Sequence, residues 1–592
     1  MDGWMSFSQL DVQGAADEEH STCAPSSSCC KPVTMETYIS SKYKHEIIPG
    51  SPSIYRLIPE KKEIGNMSRL TVGKKDPTKM NKTILVVGKT GTGKSSLINA
   101  LVNHAMGVKY VDNVCVQIVR EEKKSQTESQ TSDVIVYEVF GVEDRTLPFS
   151  LTIIDTPGFG DTRGTEKDVL VRERLLDLFR SRDGVHEIDA VCLVLKASEC
   201  RLSDRLTYVF DSVMSLFGKD IEKNIVALIT HSDFLTPDNV LQALKEAKIS
   251  WAKDKNGQPV HFMFNNIQKT ERVKGRHGNE RALKNAWEAT EDEISEFADF
   301  LKKINPQNLK ETVEVLNTRT GLEACIENLQ ERIEFIEKKQ RAIQQTQGLL
   351  KKHEQDMKNN KDFKVEVVET FKIKVPVNES RWWALGLNYG GAVCCEFCKE
   401  NCHHPCTLAW YPKHCEVMQN RGNELYCTVC TGKCHVSQHV KEEQCLACEN
   451  KCRHTNHQKT HWRYESKTRK VMKTKQEMKD MYEKGKQDSE KSASLLETLQ
   501  KKMKELQKDK DQLLEESFQH VVRLEEIALN DVSLSTHVHL DFLIEKMKEK
   551  GDTEKAMKLK MMKSKMEENP KIKSALSYGK AAWDLLRGNT AE

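Results

Sequence analysis

Between residues 81 and 300, short apolar runs alternate with stretches whose apolar positions return every three or four residues. The runs are ILVVG at 84–88, DVIVYEVF at 133–140, SLTIID at 150–155, AVCLVL at 190–195, NIVALIT at 224–230 and VHFMFNN at 260–266. Runs this apolar predict strands buried on both faces, and the periodic stretches between them predict covering helices. The expected unit, 81–300, is an α/β domain with a mostly parallel sheet and helices on both faces. The pattern then changes. Over 306–358, Leu322, Ile326, Leu329, Ile333, Ile336, Ile343 and Leu350 fall on alternating three- and four-residue steps. This is the seam of a coiled coil, with Gln340 and Gln347 as polar defects. The step returns at Leu496, Leu499, Met503, Leu506, Leu513, Leu524 and Ile527, predicting a second long helix over about 466–528.

The other segments carry weaker patterns. Residues 1–80, with STCAPSSSCC and the turn sequences PGSPS and KKDPTK, read as an irregular leader. The expected order is leader 1–80, α/β domain 81–300, coiled-coil helix 301–360, Cys/His-rich module 361–465, coiled-coil helix 466–530 and helical Lys-rich tail 531–592. Two helices of similar length predict an antiparallel pair within one chain, reaching roughly 80–95 Å, with the Cys/His module at its tip and the α/β domain at its base; the alternative is a parallel coiled coil between two copies of the chain.

Composition narrows the class. Hydrophobic residues make up 38% of the 592 and charged residues 30%, which suits a globular part joined to solvated helices. With 91 Lys+Arg against 88 Asp+Glu, the charge gives no argument for nucleic acid. The chain shows no signal peptide and no run of 18 apolar residues, so an intracellular, cytoplasmic protein is expected.

Candidate chemistry begins at Gly88-Lys89-Thr90-Gly91-Thr92-Gly93-Lys94-Ser95, a full G-x-x-x-x-G-K-[ST] between a predicted strand and the helix that Ser96 continues. Its glycines let backbone N–H groups surround phosphates at a helix N-terminus. Lys94 should reach the terminal phosphates and Ser95 should ligate Mg²⁺. Asp155-Thr156-Pro157-Gly158 closes the third predicted strand, with Asp155 toward Mg²⁺ and the Gly158 N–H toward a γ-phosphate. Thr131 is the preferred second hydroxyl for Mg²⁺, with Thr127 the alternative. Thr230-His231-Ser232-Asp233 closes the fifth strand. Asp233 can accept from both N–H edges of guanine, which adenine does not offer, so GTP and GDP are favoured. Asn265 and Asn266 follow the sixth strand, placed for the other edge of the base. Phe159 stands where Ras-like enzymes carry a water-orienting Gln, so slow intrinsic hydrolysis is expected.

GKTGTGKSSLINAL, DTPGFGD, THSD and FNN together resemble the septin-like immunity-associated GTPases, the avirulence-induced group. The resemblance covers about 81–270. It implies a P-loop G domain that dimerises across its nucleotide, an intracellular location and frequent membrane association. The Cys/His region resembles that of large fish proteins with such a G domain.

Of nineteen cysteines, twelve lie between Cys394 and Cys452. Three units repeat C-x₂-C-x₃-C: Cys395/Cys398/Cys402, Cys427/Cys430/Cys434 and Cys445/Cys448/Cys452. His403, His435 and His454 follow them, with Cys406, His404, His439 and His457 as further donors. Zn²⁺ takes four N or S ligands, so closed structural sites are expected, with the sharing of ligands among ions open. Trp382-Trp383 is expected in a strand-rich core beside the zinc. Two functions follow. One is a nucleotide- and dimerisation-dependent switch that positions a stalk and a zinc docking module for an unidentified protein partner. The other is a zinc-dependent scaffold or ubiquitin-ligase-like adaptor whose G domain is structural.

Overall fold

The structure is a computed structural model. It describes residues 34–567 apart from 65–66, 120–132, 143–145, 160–165, 199–203, 247–250, 273–276, 361, 377–390, 405, 407–414, 416, 423, 431, 441–461, 475, 479, 481–494 and 530–533. Eight strands form the main sheet: β1 Glu60–Ile64, β2 Met67–Val72, β3 Asn81–Gly88, β4 Ile135–Val139, β5 Ser150–Asp155, β6 Ala190–Lys196, β7 Ile225–Thr230 and β8 His261–Phe264. Their order is β8-β7-β6-β3-β5-β4-β2-β1. β3, β5, β6, β7 and β8 run parallel, β4 is antiparallel to β5, and β1 is antiparallel to β2.

The central strands are apolar throughout because each face meets a helical layer. Ile84 and Val86 of β3 pack with Leu97 and Leu101 of helix α1 (Lys94–Ala105). Leu85 and Val87, pointing the other way, pack with residues of α2 (Glu166–Arg180) and α3 (Asp204–Met214). Helices α4 (Asp238–Glu246) and α5 (His277–Lys303) complete the covering layers.

The leader departs from expectation. Thr34 caps a helix at Met35–Lys42, and strands β1 and β2 extend the main sheet beyond β4. β1, EKKEI, is an edge strand with four exposed positions, so its composition reads as loop. Val114–Gln117, unpredicted, pairs instead with Ser53–Leu57 in a small second sheet. Asn99 and Asn103 of α1 hold that segment. Asn103 exchanges hydrogen bonds with the backbone of Val116, and Asn99 accepts from Ile118 and Val119.

At the opposite end of the sheet from the P-loop, Lys82 and Asp189 form a buried ion pair at 2.8 Å. The Lys82 ammonium also donates to Ile304 O, and Asp189 accepts from Thr83 N at 2.7 Å. Replacing Lys82 with Met strands a buried carboxylate, which costs about 3–5 kcal/mol. We expect the denaturant midpoint of Lys82→Met to fall accordingly, and the double variant Lys82→Met/Asp189→Leu to recover part of the loss.

Two long helices follow, α6 (Lys310–Lys352) and α7 (Leu495–Ile527), then α8 (Leu534–Lys550) and α9 (Thr553–Glu567). α6 and α7 pack antiparallel within one chain. Arg523 Nε donates to Glu314 at 2.9 Å, His520 meets Cys325, and Met503 packs in the cluster of Ile343 and Leu350. Both helices are rooted in the α/β domain. Buried Arg319 donates to Ser215 O, while Lys219 of the domain donates to Glu525 O and Glu526 O, capping the last turn of α7.

Two expectations fail here. Residues 466–474 are not helical: β10 (Trp462–Thr474) pairs with β9 (Lys364–Pro376) as a thirteen-residue antiparallel ribbon. Nor does the Cys/His module sit at the tip of the helix pair. The ribbon turns back along α6, with Val365 and Val367 against Ile343 and Leu350 and Ser466 against Lys338. It delivers the module to the flank of α6, where Asn328, Glu331 and Arg332 engage Asn401 and Glu400. Lys433 pairs with Glu516 of α7 on the same side. Trp382 and Trp383 lie outside the described residues.

Candidate nucleotide site and metal centre

The motifs meet at the carboxyl ends of β3, β5, β7 and β8, the edge where ligands bind in sheets of this kind. β3 ends at Gly88, and the loop reaches α1 through Gly91 and Gly93, whose φ angles of 81° and 87° are left-handed. Gly93 caps α1 with no side-chain hydrogen bond, and the first turn, opened by Lys94, Ser95 and Ser96, holds no acidic residue. That helix end therefore carries N–H groups and positive dipole suited to an anion. The glycines are steric necessities. A Cβ on Gly88 would lie 2.5 Å from Val194 O, and one on Gly158 would lie 2.4 Å from Thr90 Oγ1.

Lys94 is buried, and its ammonium donates to Gly88 O at 3.0 Å and Lys89 O at 3.2 Å. Burial pushes its pKa down to about 8, opposed by the charge of Asp155. Asp155 is fully buried at the end of β5, and Thr156 Oγ1 beside it donates to Val86 O. The D-x-x-G loop is stitched to the P-loop: Phe159 N donates to Gly88 O at 3.1 Å, and Thr90 Oγ1 to Gly158 O at 3.3 Å. Phe159 is 1% exposed and packs with Leu85 and Val87. The position after Gly158 is a core residue, a role the motif alone did not disclose.

Thr230, expected at the base, has a structural task. Its hydroxyl is 2.6 Å from Thr92 O and 3.0 Å from Leu195 O, tying β7 to the P-loop and to β6. His231 takes a left-handed φ of 55°, and its Cε1 lies 3.3 Å from the place a Gly93 Cβ would occupy. Burial, then the charge of Lys196, lowers its pKa, which favours the neutral ring. Asp233 is exposed, and one oxygen accepts Leu235 N at 3.0 Å, which orients the carboxylate. Asn265 is anchored by Thr290, whose hydroxyl accepts its N–H at 3.2 Å. Asn266 Oδ1 is buried without a hydrogen-bond partner among the described residues. The donors and acceptors at this edge fit a guanine nucleotide with Mg²⁺. Thr127 and Thr131 lie outside the described residues.

The first two Cys/His units do not each close their own site. Three groups of donor atoms form, with every atom within 4.8 Å of the others in its group. They are Cys395, Cys398, Cys430 and Cys434; Cys402, Cys427, Cys430 and His439; and His403, Cys406 and Cys415. The first and second units therefore interleave. Within these groups the Cys398 and Cys434 sulfurs are 3.6 Å apart, and those of Cys406 and Cys415 are 3.8 Å apart. No disulfide has that separation. A zinc–sulfur bond of about 2.3 Å does give tetrahedral S···S edges of about 3.8 Å.

His435 is not among these donors. Its Nδ1 lies 2.8 Å from Ser437 Oγ and its ring packs edge-on against Tyr426. His439 takes the expected place because it pairs across strands with Cys395. Its Nδ1 donates to His435 O at 3.1 Å, leaving a buried Nε2 that has no hydrogen-bond partner among the described residues. Cys415 was not anticipated, because it belongs to no spaced unit. Cys445, Cys448, Cys452 and His454 lie outside the described residues.

Residues 82–277 match the AIG1 family. Translocase of chloroplast 34 from Arabidopsis thaliana is 27% identical over 160 residues, 27% of this chain and 42% of that protein. GTP-binding protein A of Dictyostelium discoideum is 26% identical over 183 residues, 30% of this chain and 35% of its own. Septin-9 of Rattus norvegicus is 38% identical over 78 residues, 13% of this chain and 12% of its own. The matched part thus spans less than half of each relative. Among solved structures, Toc33 from Arabidopsis thaliana in complex with Mg²⁺ and GMPPNP aligns with a TM-score of 0.26 at 19% identity, covering 38% of this chain and 88% of that one. No helix among the described residues is long and apolar enough to cross a membrane. With the P-loop, D-x-x-G and T-x-x-D motifs gathered on one sheet edge, residues 82–277 are an AIG1 family domain, a septin-like GTP-binding P-loop domain.

Proposed function

We propose that this protein is a guanine-nucleotide-dependent switch with slow intrinsic hydrolysis, whose nucleotide state repositions the helix pair and its metal-built head. One observation carries the reading. α2, the helix that follows the D-x-x-G loop, is clasped to α6 by Arg172, whose two terminal nitrogens donate to the Glu323 carboxylate at 2.8 and 2.7 Å. Both side chains are largely buried, so the pair is geometrically demanding. A γ-phosphate contacting Gly158 would move the start of α2, and the clasp passes that movement to α6. Spin labels on α6 and α3 should report a distance that differs between GDP and a non-hydrolysable GTP analogue. Arg172→Ala should remove the difference while leaving nucleotide affinity within about twofold. A wild-type distance that ignores the nucleotide would sink the switch.

Slow hydrolysis follows from Phe159, whose buried ring cannot orient water. Its burial also forbids an easy repair by substitution. The family resemblance adds dimerisation across the nucleotide as the means by which a second copy supplies missing groups. Single-turnover hydrolysis should therefore rise with protein concentration, and fast turnover in dilute monomer would contradict it. Guanine selection rests on Asp233. Asp233→Asn replaces one acceptor with a donor facing the guanine N–H edge, so GTP affinity should fall by about 1–3 kcal/mol, or roughly 5- to 150-fold, in titration calorimetry. A reducing, cytoplasmic setting is the one in which cysteines gathered at metal-ligand spacing stay available to a metal.

A further inference from the structure

We infer that the head holds a two-metal centre in which the Cys430 thiolate bridges two zinc ions. The inference deepens the metal-built head proposed above and rests on it. Two tetrahedral ions need eight ligand positions. Seven donors converge here, and they fill those positions only when one is shared. Cys430 is the donor common to both four-membered groups. Cys395, Cys398 and Cys434 complete one ion, and Cys402, Cys427 and His439 complete the other. All are buried except Cys398 and Cys434, which are partly exposed. Among the described residues His439 Nε2 has no hydrogen-bond partner, and its Nδ1–H donates to His435 O, the arrangement that orients a ligating imidazole.

The surroundings answer the charge. Six thiolates and a neutral imidazole around two Zn²⁺ leave a net charge of −2, and backbone N–H groups point at the sulfurs. Cys398 N donates to Cys395, Val429 N and Cys430 N to Cys427, and Gly432 N to Cys398, all at 3.3–3.4 Å. Cys434 N donates to Cys430 itself at 3.3 Å. A thiolate sulfur has three lone pairs, so two metal bonds and this N–H complete its capacity. Gly432 is dictated by the same centre: a Cβ there would lie 2.7 Å from Cys434 Sγ and 3.2 Å from Cys398 Sγ.

X-ray absorption at the zinc edge of the full chain, reconstituted with zinc alone, tests this. A bridge gives a zinc–zinc shell at roughly 3–4 Å in addition to sulfur and nitrogen shells. Cys430→Ser should abolish that shell and release two ions per chain by elemental analysis, whereas Cys398→Ser should release one. Because Cys430→Ser can unfold the head, the wild-type zinc–zinc shell decides. Its absence from zinc-loaded protein, or its persistence in folded Cys430→Ser, overturns the bridge alone. A chain that takes up no zinc overturns the metal-built head as well.

Discussion

Replacing Lys94 with alanine should lower guanine-nucleotide affinity by at least about 100-fold, which is roughly 3 kcal/mol of charge-assisted hydrogen bonding lost from a buried position. The lysine is the one ammonium in the described P-loop that is buried, and it already lies against the carbonyls of Gly88 and Lys89. A triphosphate would exchange those partners for charged oxygens. The pH response follows with a definite sign. Burial holds the lysine down to about 8 in the free protein, and phosphate charge pulls it back up. A group whose pKa rises on binding contributes fully below its free value and less as pH climbs past it. Wild-type affinity should therefore be flat below pH 7 and weaken above pH 8, while Lys94→Ala loses that slope. Calorimetry at pH 7 and pH 9 measures both. An unchanged affinity in the variant would move the phosphate site elsewhere.

The second large effect is loss of metal. Structural zinc contributes about 10–16 kcal/mol to small sites of this kind. Nothing comparable replaces it between Val393 and Val440, where strands are two to four residues long. Chelation should open this module to protease and to amide exchange, freeing the flank of α6 at Asn328 and Glu331. Nucleotide affinity should stay within about twofold, because the P-loop and the module share no described contact. Amide exchange across 393–440 that ignores chelation would remove metal as the module's organiser.

The sheet was legible because its central strands are buried on both faces, so AVCLVL and NIVALIT need no alternation to be recognised. Edge strand β1 was not, because the charges that protect an edge from pairing also erase its strand pattern. The nucleotide motifs were legible as local strings with fixed spacing. What those strings hid was their packing: Phe159 faces inward, and Thr230 is a clasp before it is a base contact. The metal donors were legible as a class but not as a partition. Spacing favours His435, next to Cys434, over His439 five residues on, and only the pairing of His439 with Cys395 reverses that order. The strand at 466–474 was lost for a related reason. Its Lys and Arg residues resemble the solvated face of the helix that follows, and the partner strand that makes it a ribbon lies about a hundred residues earlier.

The pairing of α6 with α7 also sets a timetable. Arg523 finds Glu314 across 209 residues of chain. At synthesis rates of about 5–20 residues per second, α6 waits on the order of 10–40 s for its partner. During that interval Leu322, Ile326 and Leu329 lack the α7 and α8 residues they pack with, and the whole Cys/His segment emerges before α7. The head therefore has time to gather the metal proposed for it while the stalk is still half built, and assembly should be most vulnerable to aggregation in that window.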